Sequence, residues 1–260
     1  MGRLRGWVDA ASRFRRPGPT LVALHGSFGR GAIFTRIAAE LAGAARVVAP
    51  DQRGHGRHPH LGPFRHEDFI ADAADFIRDL GAGPVVLFGH SLGGITAYRL
   101  AARHPDLVRA LIVEDVGPVM RRPEIEQPIL DVRGWPRAAP TRAELSEAIR
   151  ARGVPDAGYF MQSAERDGDG YRLLFDWEQM MAVQEGAIGD WWSDWLGSSV
   201  PALVLRGGHS TLLPAGLARD MVARRPGARL VEFPDSGHWI HDDEPVAVAR
   251  AVAAFLAEQG

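Results

Sequence analysis

The chain contains no cysteine. Thiol nucleophiles, disulfides and thiolate-held metal clusters are therefore excluded. Lysine is missing as well, so all 30 basic residues are arginine. Schiff-base chemistry at a lysine and the phosphate-cradling lysine of a P-loop are excluded with it. There is no surplus of positive charge. The 30 basic residues face 32 acidic ones and leave a net charge of −2, so nothing points to a nucleic-acid partner. No apolar run reaches the length of a membrane span. Residues 1–20 are Arg-rich and lack the apolar stretch of a secretory leader. A cytoplasmic location without a membrane partner is the expectation.

What is present fits a globular enzyme. At 260 residues the chain can bury one large core, and 46% apolar with 24% charged residues is ordinary for a soluble domain. Short apolar runs recur without polar alternation, each stopped by Gly, Pro or an acid. They are Leu21–Leu24, Arg46–Ala49, Pro84–Phe88, Ala110–Val113, Pro201–Leu205 and Arg229–Phe233. Such runs read as strands covered on both faces. Helical spacing lies between them at Glu67–Leu80, Leu92–His104, Pro214–Arg225 and Glu244–Glu258. Alternation of this kind predicts an α/β fold, a mostly parallel central sheet with helices on both faces. Ligands then bind at the carboxyl ends of the strands.

One stretch breaks the rhythm. Residues 119–199 show no convincing strand, are rich in proline, and carry helical spacing at Thr141–Arg152 and Tyr171–Glu185. The stretch is too long for a loop in a compact domain. It predicts a helical cap, 119–199, inserted into a core made of 1–118 and 200–260. Trp135, Trp177, Trp191, Trp192 and Trp195 fall inside it. Tryptophans at this spacing belong more often to a cap core than to a pocket. Phe28, Trp177, Trp192 and Trp239 are the pocket candidates.

Three motifs carry chemistry. Gly89-His-Ser-Leu-Gly-Gly94 matches G-x-S-x-G between an expected strand and an expected helix. The glycines permit a turn so sharp that the Ser91 hydroxyl stands clear of the backbone. The following helix N-terminus offers N–H groups to an oxyanion. His25-Gly26-Ser27 follows the first long strand and can supply a second donor. The donors expected are the N–H groups of Ser27 and Leu92, with His25 bracing the loop. Asp235-Ser-Gly-His-Trp239 follows the last strand. A serine hydroxyl needs a base within reach, and His238 is the right residue type at the right strand end. His55, His58, His60 and His66 cluster loosely, but without metal-ligand spacing on a regular element. No metal and no cofactor is expected. Asp51 and Arg53 read as braces of their loop.

In this order, Leu24-His-Gly-Ser-Phe-Gly29, Asp51-Gln-Arg-Gly-His-Gly56, Gly89-His-Ser-Leu-Gly-Gly94 and Gly237-His-Trp239 make the chain resemble a capped serine hydrolase of the α/β-hydrolase superfamily. The resemblance covers Leu21–Val116 and Pro201–Leu256, and the cap resembles nothing we can name. Epoxide hydrolases and haloalkane dehalogenases of this fold carry Asp at the elbow, and Ser91 argues against both. The resemblance implies a Ser91–His238–acid triad. Many relatives place the acid just after the strand that here is Ala202–Leu205, where this chain has Thr211 and no carboxylate until Asp220. Others place it one strand earlier, where this chain reads Glu114-Asp115-Val-Gly-Pro118. Successive side chains of a strand point oppositely, so only one of the two acids can face the site. Asp115 is preferred to Glu114.

The expected reaction is acyl transfer through an acyl-enzyme, on a small or medium ester, thioester or lactone with an apolar acyl part. The partner is a small-molecule substrate, and the oligomeric state is not set by the sequence. Carbon–carbon bond hydrolysis of diketone-like substrates, a biosynthetic cyclisation or elimination, and a non-catalytic binding module remain open alternatives.

Overall fold

Apolar runs stopped by glycine or proline become strands; five are buried on both faces, and the sixth, Ala228–Phe233 at the sheet edge, is largely half-buried or exposed. In a computed structural model that describes residues 7–9, 18–58, 62–154 and 156–259, all six expected strands form. The first half of the chain runs β1 (Trp7–Asp9), β2 (Thr20–Leu24), α1 (Thr35–Glu40), β3 (Arg46–Pro50), α2 (His66–Leu80), β4 (Val85–His90), α3 (Leu92–Arg103) and β5 (Val108–Glu114). There follow β6 (Val119–Met120), β7 (Ala138–Ala139), α4 (Arg142–Arg150), α5 (Gly158–Gln162), β8 (Ala164–Asp167), β9 (Gly170–Leu173), α6 (Trp177–Gly186), β10 (Gly189–Asp190) and α7 (Trp192–Leu196). The chain ends with β11 (Ala202–Gly207), α8 (Ala215–Arg224), β12 (Ala228–Phe233), α9 (Ile240–Asp243) and α10 (Pro245–Ala257).

The main sheet has the order β1-β3-β2-β4-β5-β11-β12. All neighbours are parallel except β1, which pairs antiparallel with β3. β4 is central, and all six of its residues are buried. The sheet grows in both directions from the neighbouring strands β2 and β4. Loops leaving their carboxyl ends therefore part company there and open a crevice. Both the Ser27 loop and Ser91 leave from that point.

Helix α2 shows why one face is buried. Phe69, Ile70, Ala73 and Ile77 are turned inward at helical spacing. Glu67 and Asp68 sit in its first turn and Arg78 in its last, matching the helix dipole, and Gly81 closes it in the left-handed conformation. Helix α3 is different. Every residue from Leu92 to Ala101 is buried, because it lies between the sheet and the segment joining β5 to β11.

That segment departs from the expected all-helical cap. It holds a three-stranded sheet β7-β9-β8 and a two-stranded pair β10-β6. These strands are two to four residues long, too short for an alternating pattern to register. The helix expected from Tyr171 begins only at Trp177, because residues 170–173 pair with β8 and β7. Asp176 then caps α6 by accepting the Glu178 N–H at 2.9 Å.

A buried arginine fastens this segment to the core. Arg99, on α3, is 1% exposed. Its Nη2 donates to Glu67 at 2.7 Å and its Nε to Asp194 at 3.1 Å, while its guanidinium lies 3.8 Å from the Trp191 ring. A planar, always-charged fork suits this three-way contact. We expect Arg99→Ala to cost about 3 kcal/mol, because it leaves the largely buried Asp194 carboxylate with only the longer 3.5 Å contact to the more exposed Arg103. For a chain of this size that is a fall in Tm of roughly 6–12 °C. Glu67→Gln should cost under about 1 kcal/mol, since that carboxylate is 57% exposed. Equal losses in the two variants, measured by thermal unfolding, would refute this assignment.

Candidate active site

Ser91 sits in the turn between β4 and α3 with φ 52° and ψ −119°. A non-glycine residue at positive φ is strained by about 1–3 kcal/mol. The neighbouring strand holds it there, for the Ser91 N–H donates to the Glu114 carbonyl at 3.0 Å. The turn also needs its glycines. A methyl group on Gly93 would overlap the Leu24 carbonyl, and one on Gly89 would overlap the Gly93 carbonyl.

The loop after β2 comes alongside. It is closed by the Gly29 N–H donating to Gly26 O at 3.1 Å, with Phe28 at φ 69°. His25 braces it from beneath. Its Nδ1–H donates to Gly26 O at 2.8 Å, and its Nε2 accepts the Gln52 N–H at 2.9 Å. Burial lowers the His25 pKa to about 4, so it is neutral and free to accept. Asp51 and Arg53 brace the next loop. Asp51 accepts the N–H groups of Gly31 and Arg57 at 2.7 and 2.8 Å, and Arg53 forms a two-point pair with Asp72 at 2.7 and 2.8 Å.

Asp115 and His238 meet directly. Asp115 follows β5 at φ 52° and is fully buried. Its Oδ2 accepts from His238 Nδ1 at 2.7 Å and from the Ser210 hydroxyl, and its Oδ1 accepts the Gly207 N–H at 3.0 Å. Glu114 points the other way. Its Oε1 accepts the His241 backbone N–H at 2.9 Å and His241 Nδ1–H at 2.8 Å. Burial alone would lower the His241 pKa, but the Glu114 carboxylate and its hydrogen bond outweigh burial and raise it. His90 completes the hold on this segment, donating from Nε2 to the His238 carbonyl at 2.9 Å. Burial keeps His90 well below the ordinary histidine range, hence neutral. The segment 238–241 is thus fixed at three points.

Ser91 and His238 open into one cavity of about 220 Å³, and Ser27 and Leu92 line it with them. The walls are apolar: Phe28, Ile95, Met120, Phe160 and Trp239 contribute most clearly. The polar contributions are the amides of Gln127 and Gln184, the hydroxyls of Ser27, Ser91, Tyr159 and Thr211, and the imidazoles of His90 and His238. Neither an arginine nor a carboxylate appears among the described lining residues.

Two pocket candidates are corrected here. Trp177 and Trp192 do not line this cavity. Trp177 opens α6 and packs against the core, and the Trp192 ring carries the Arg224 guanidinium at 3.8 Å. Phe28 and Trp239 do line it. Thr211 stands at the cavity wall, and the neighbouring Ser210 reaches the acid instead. Sequence reasoning missed Tyr159, Phe160, Met120 and the 127–130 strand of loop, all in the segment without recognisable motifs. Among the described residues, His55, His58 and His66 form no group placed to share a metal ion. His66 is engaged by Thr96 on α3 at 3.1 Å, His55 bonds the Arg53 carbonyl at 2.8 Å, and His60 lies outside the described residues.

The sequence is 30% identical over 255 residues to the mouse (Mus musculus) sn-1-specific diacylglycerol lipase ABHD11, covering 92% of this chain and 81% of that one. It is 28% identical to the 2-(acetamidomethylene)succinate hydrolase of Mesorhizobium japonicum, covering 96% of this chain and 92% of that one. A crystal structure of an E-2-(acetamidomethylene)succinate hydrolase superposes with a TM-score of 0.84 at 25% identity, over 96% of this chain and 94% of that one. No helix among the described residues is long and apolar enough to cross a membrane. The family model for alpha/beta hydrolases matches residues 21–251, and the chain belongs to the alpha/beta hydrolase family.

Proposed function

We propose that this hydrolase cleaves a neutral carboxylic ester, thioester or lactone through an acyl-enzyme on Ser91. The observation that carries the reading is the 2.7 Å contact of His238 Nδ1 with the buried Asp115 carboxylate. That contact fixes the proton on Nδ1 and leaves Nε2 bare to accept the Ser91 proton. The hydroxyl oxygen attacks the substrate carbonyl as His238 takes its proton. The resulting imidazolium is paired with Asp115. The N–H groups of Ser27 and Leu92 hold the oxyanion, with the α3 dipole behind Leu92. His238 returns the proton to the leaving alcohol. Water, deprotonated by His238, then releases the acid from Ser91.

The cavity favours a neutral, apolar acyl part. The two relatives differ in this respect, since one is a diacylglycerol lipase and the other a hydrolase of a substituted succinate. A dicarboxylate buried without a cation partner would lose several kcal/mol of hydration. The described lining offers amides, hydroxyls and the imidazoles of His90 and His238 but no arginine, which supports the lipase-like side of that pair.

p-Nitrophenyl esters from acetyl to dodecanoyl test the chemistry. The wild type should turn over with a short-to-medium optimum. Ser91→Ala and Asp115→Asn should each lose about 10⁴-fold in kcat. Survival of activity in Asp115→Asn would sink the choice of acid. A dead ester panel, with Ser91 still labelled by a fluorophosphonate, would favour carbon–carbon cleavage or a non-hydrolytic reaction.

The charge of the acyl part is a separate test. A half-ester of succinate should show kcat/KM at least about 100-fold below that of its methyl-capped, uncharged counterpart. Equal values would refute a neutral-substrate site.

A further inference from the structure

Behind His238 lies a second group of titratable side chains that acyl transfer does not use. His90, Glu114 and His241 are 1%, 0% and 1% exposed. One potential ligand atom from each lies within 4.8 Å of the other two. The His90 ring is 4.8 Å from the His241 ring, centre to centre. Each residue also keeps a buried polar atom without a hydrogen-bond partner: His90 Nδ1, Glu114 Oε2 and His241 Nε2. A buried polar atom left unpaired is costly, and native cores hold few of them. Buried His90 Nδ1 and Glu114 Oε2 are thus free to take a ligand, and His241 Nδ1, 2.8 Å from Glu114 Oε1, can join them by giving up its proton.

We propose that His90, Glu114 and His241 form a buried site for a single divalent transition-metal ion, with Zn²⁺ the best match. Two imidazoles and one carboxylate are a donor set that zinc accepts. Calcium and magnesium prefer an all-oxygen shell and fit poorly. The size is close. An ion centred in a triangle of 4.8 Å edges lies about 2.8 Å from each corner, so bonds of about 2.0–2.2 Å need each side chain to close by under about 1 Å. The neutral His90 already presents a lone pair. It also forms part of the wall of the substrate cavity. The site uses neither Ser91 nor the His238 ring, so it stands or falls apart from the proposed hydrolysis.

Titration of metal-free protein with ZnCl₂, followed by calorimetry at pH 7.5, tests the site. The wild type should bind one Zn²⁺ per chain. Glu114→Gln and His241→Gln should weaken that binding at least 100-fold, and His238→Gln should retain it. Thermal unfolding of each variant checks that it is folded. Wild-type crystals soaked in ZnCl₂ give a readout that needs no variant. A zinc-edge anomalous peak among His90, Glu114 and His241 is expected. Absence of wild-type binding would overturn the proposal. So would full binding in Glu114→Gln and His241→Gln, loss confined to His238→Gln, or an anomalous peak found only elsewhere.

Discussion

A carboxylate buried out of water is the constraint on which the rest of the site depends. Isolated, the Asp115 charge would cost several kcal/mol even after the surroundings relaxed. It is tolerated because its donors come from three places: Gly207 at the end of β11, Ser210 in the loop that follows, and His238 beyond β12. The Asp115 N–H adds a fourth tie, to the Leu205 carbonyl at 2.8 Å. One side chain thus draws together the carboxyl ends of β5 and β11 and the loop that carries the proposed base. With Asp115, the proposed acid, at the end of β5, the loop after β11 contributes a hydroxyl, that of Ser210. Thr211 is left to face the cavity.

The backbone shows the same economy of position. Among the described residues, the non-glycine residues at positive φ are Phe28, Ser91 and Asp115. Each lies just past the end of β2, β4 or β5. At about 1–3 kcal/mol apiece, such strain persists only where surrounding structure over-determines it. Each strained residue is tied by its backbone to another element. Phe28 O accepts the Ser163 hydroxyl at 2.6 Å, the Ser91 N–H reaches Glu114 O, and the Asp115 N–H reaches Leu205 O. The buried strands of the sheet provide the rigid frame against which these turns are held.

Much of this was legible in the sequence, and the reasons are physical. Buried parallel strands announce themselves as apolar runs, and the elbow announces itself because its close approaches admit only glycine. Strand alternation allowed only one of Glu114 and Asp115 to face the site and the resemblance to related hydrolases favoured Asp115; the side chains do diverge, one to His238 and the other to His241. What could not be read lies where short-range pattern fails. Strands β6 to β10 are too brief to show a period. Tyr159 and Phe160 sit on a helix of five residues. Ser210 reaches Asp115 across 95 positions, and no local signal marks such a partner. Trp177 and Trp192 were misplaced because indole rings serve equally well as packing and as pocket wall. β1 and α1 were not foreseen: α1 is six residues long, too few for an amphipathic pattern.

Divergence of the two acids also explains why the proposed base is held so firmly. Asp115 grips the His238 ring, Glu114 grips residue 241, and His90 grips the carbonyl of His238 itself. A four-residue segment fixed at both ends and once between has little freedom to lose in a transition state, which is the advantage of preorganisation. The opposite wall is arranged differently. Phe28 belongs to the oxyanion loop by its backbone, yet its ring packs among Trp135, Phe160 and Phe175 of the β5–β11 segment at 5.4 to 6.2 Å between centres. The residues that shape the acyl cavity therefore press on the loop that would stabilise the oxyanion. A substitution at Phe160 that reshapes the cavity cannot be neutral for the loop. The base side meets the same cavity, since His238 lines it and the adjacent Trp239 stacks on Tyr159 and meets Phe160 edge-on, so in the proposed mechanism a change of cavity shape bears on both the oxyanion loop and the base.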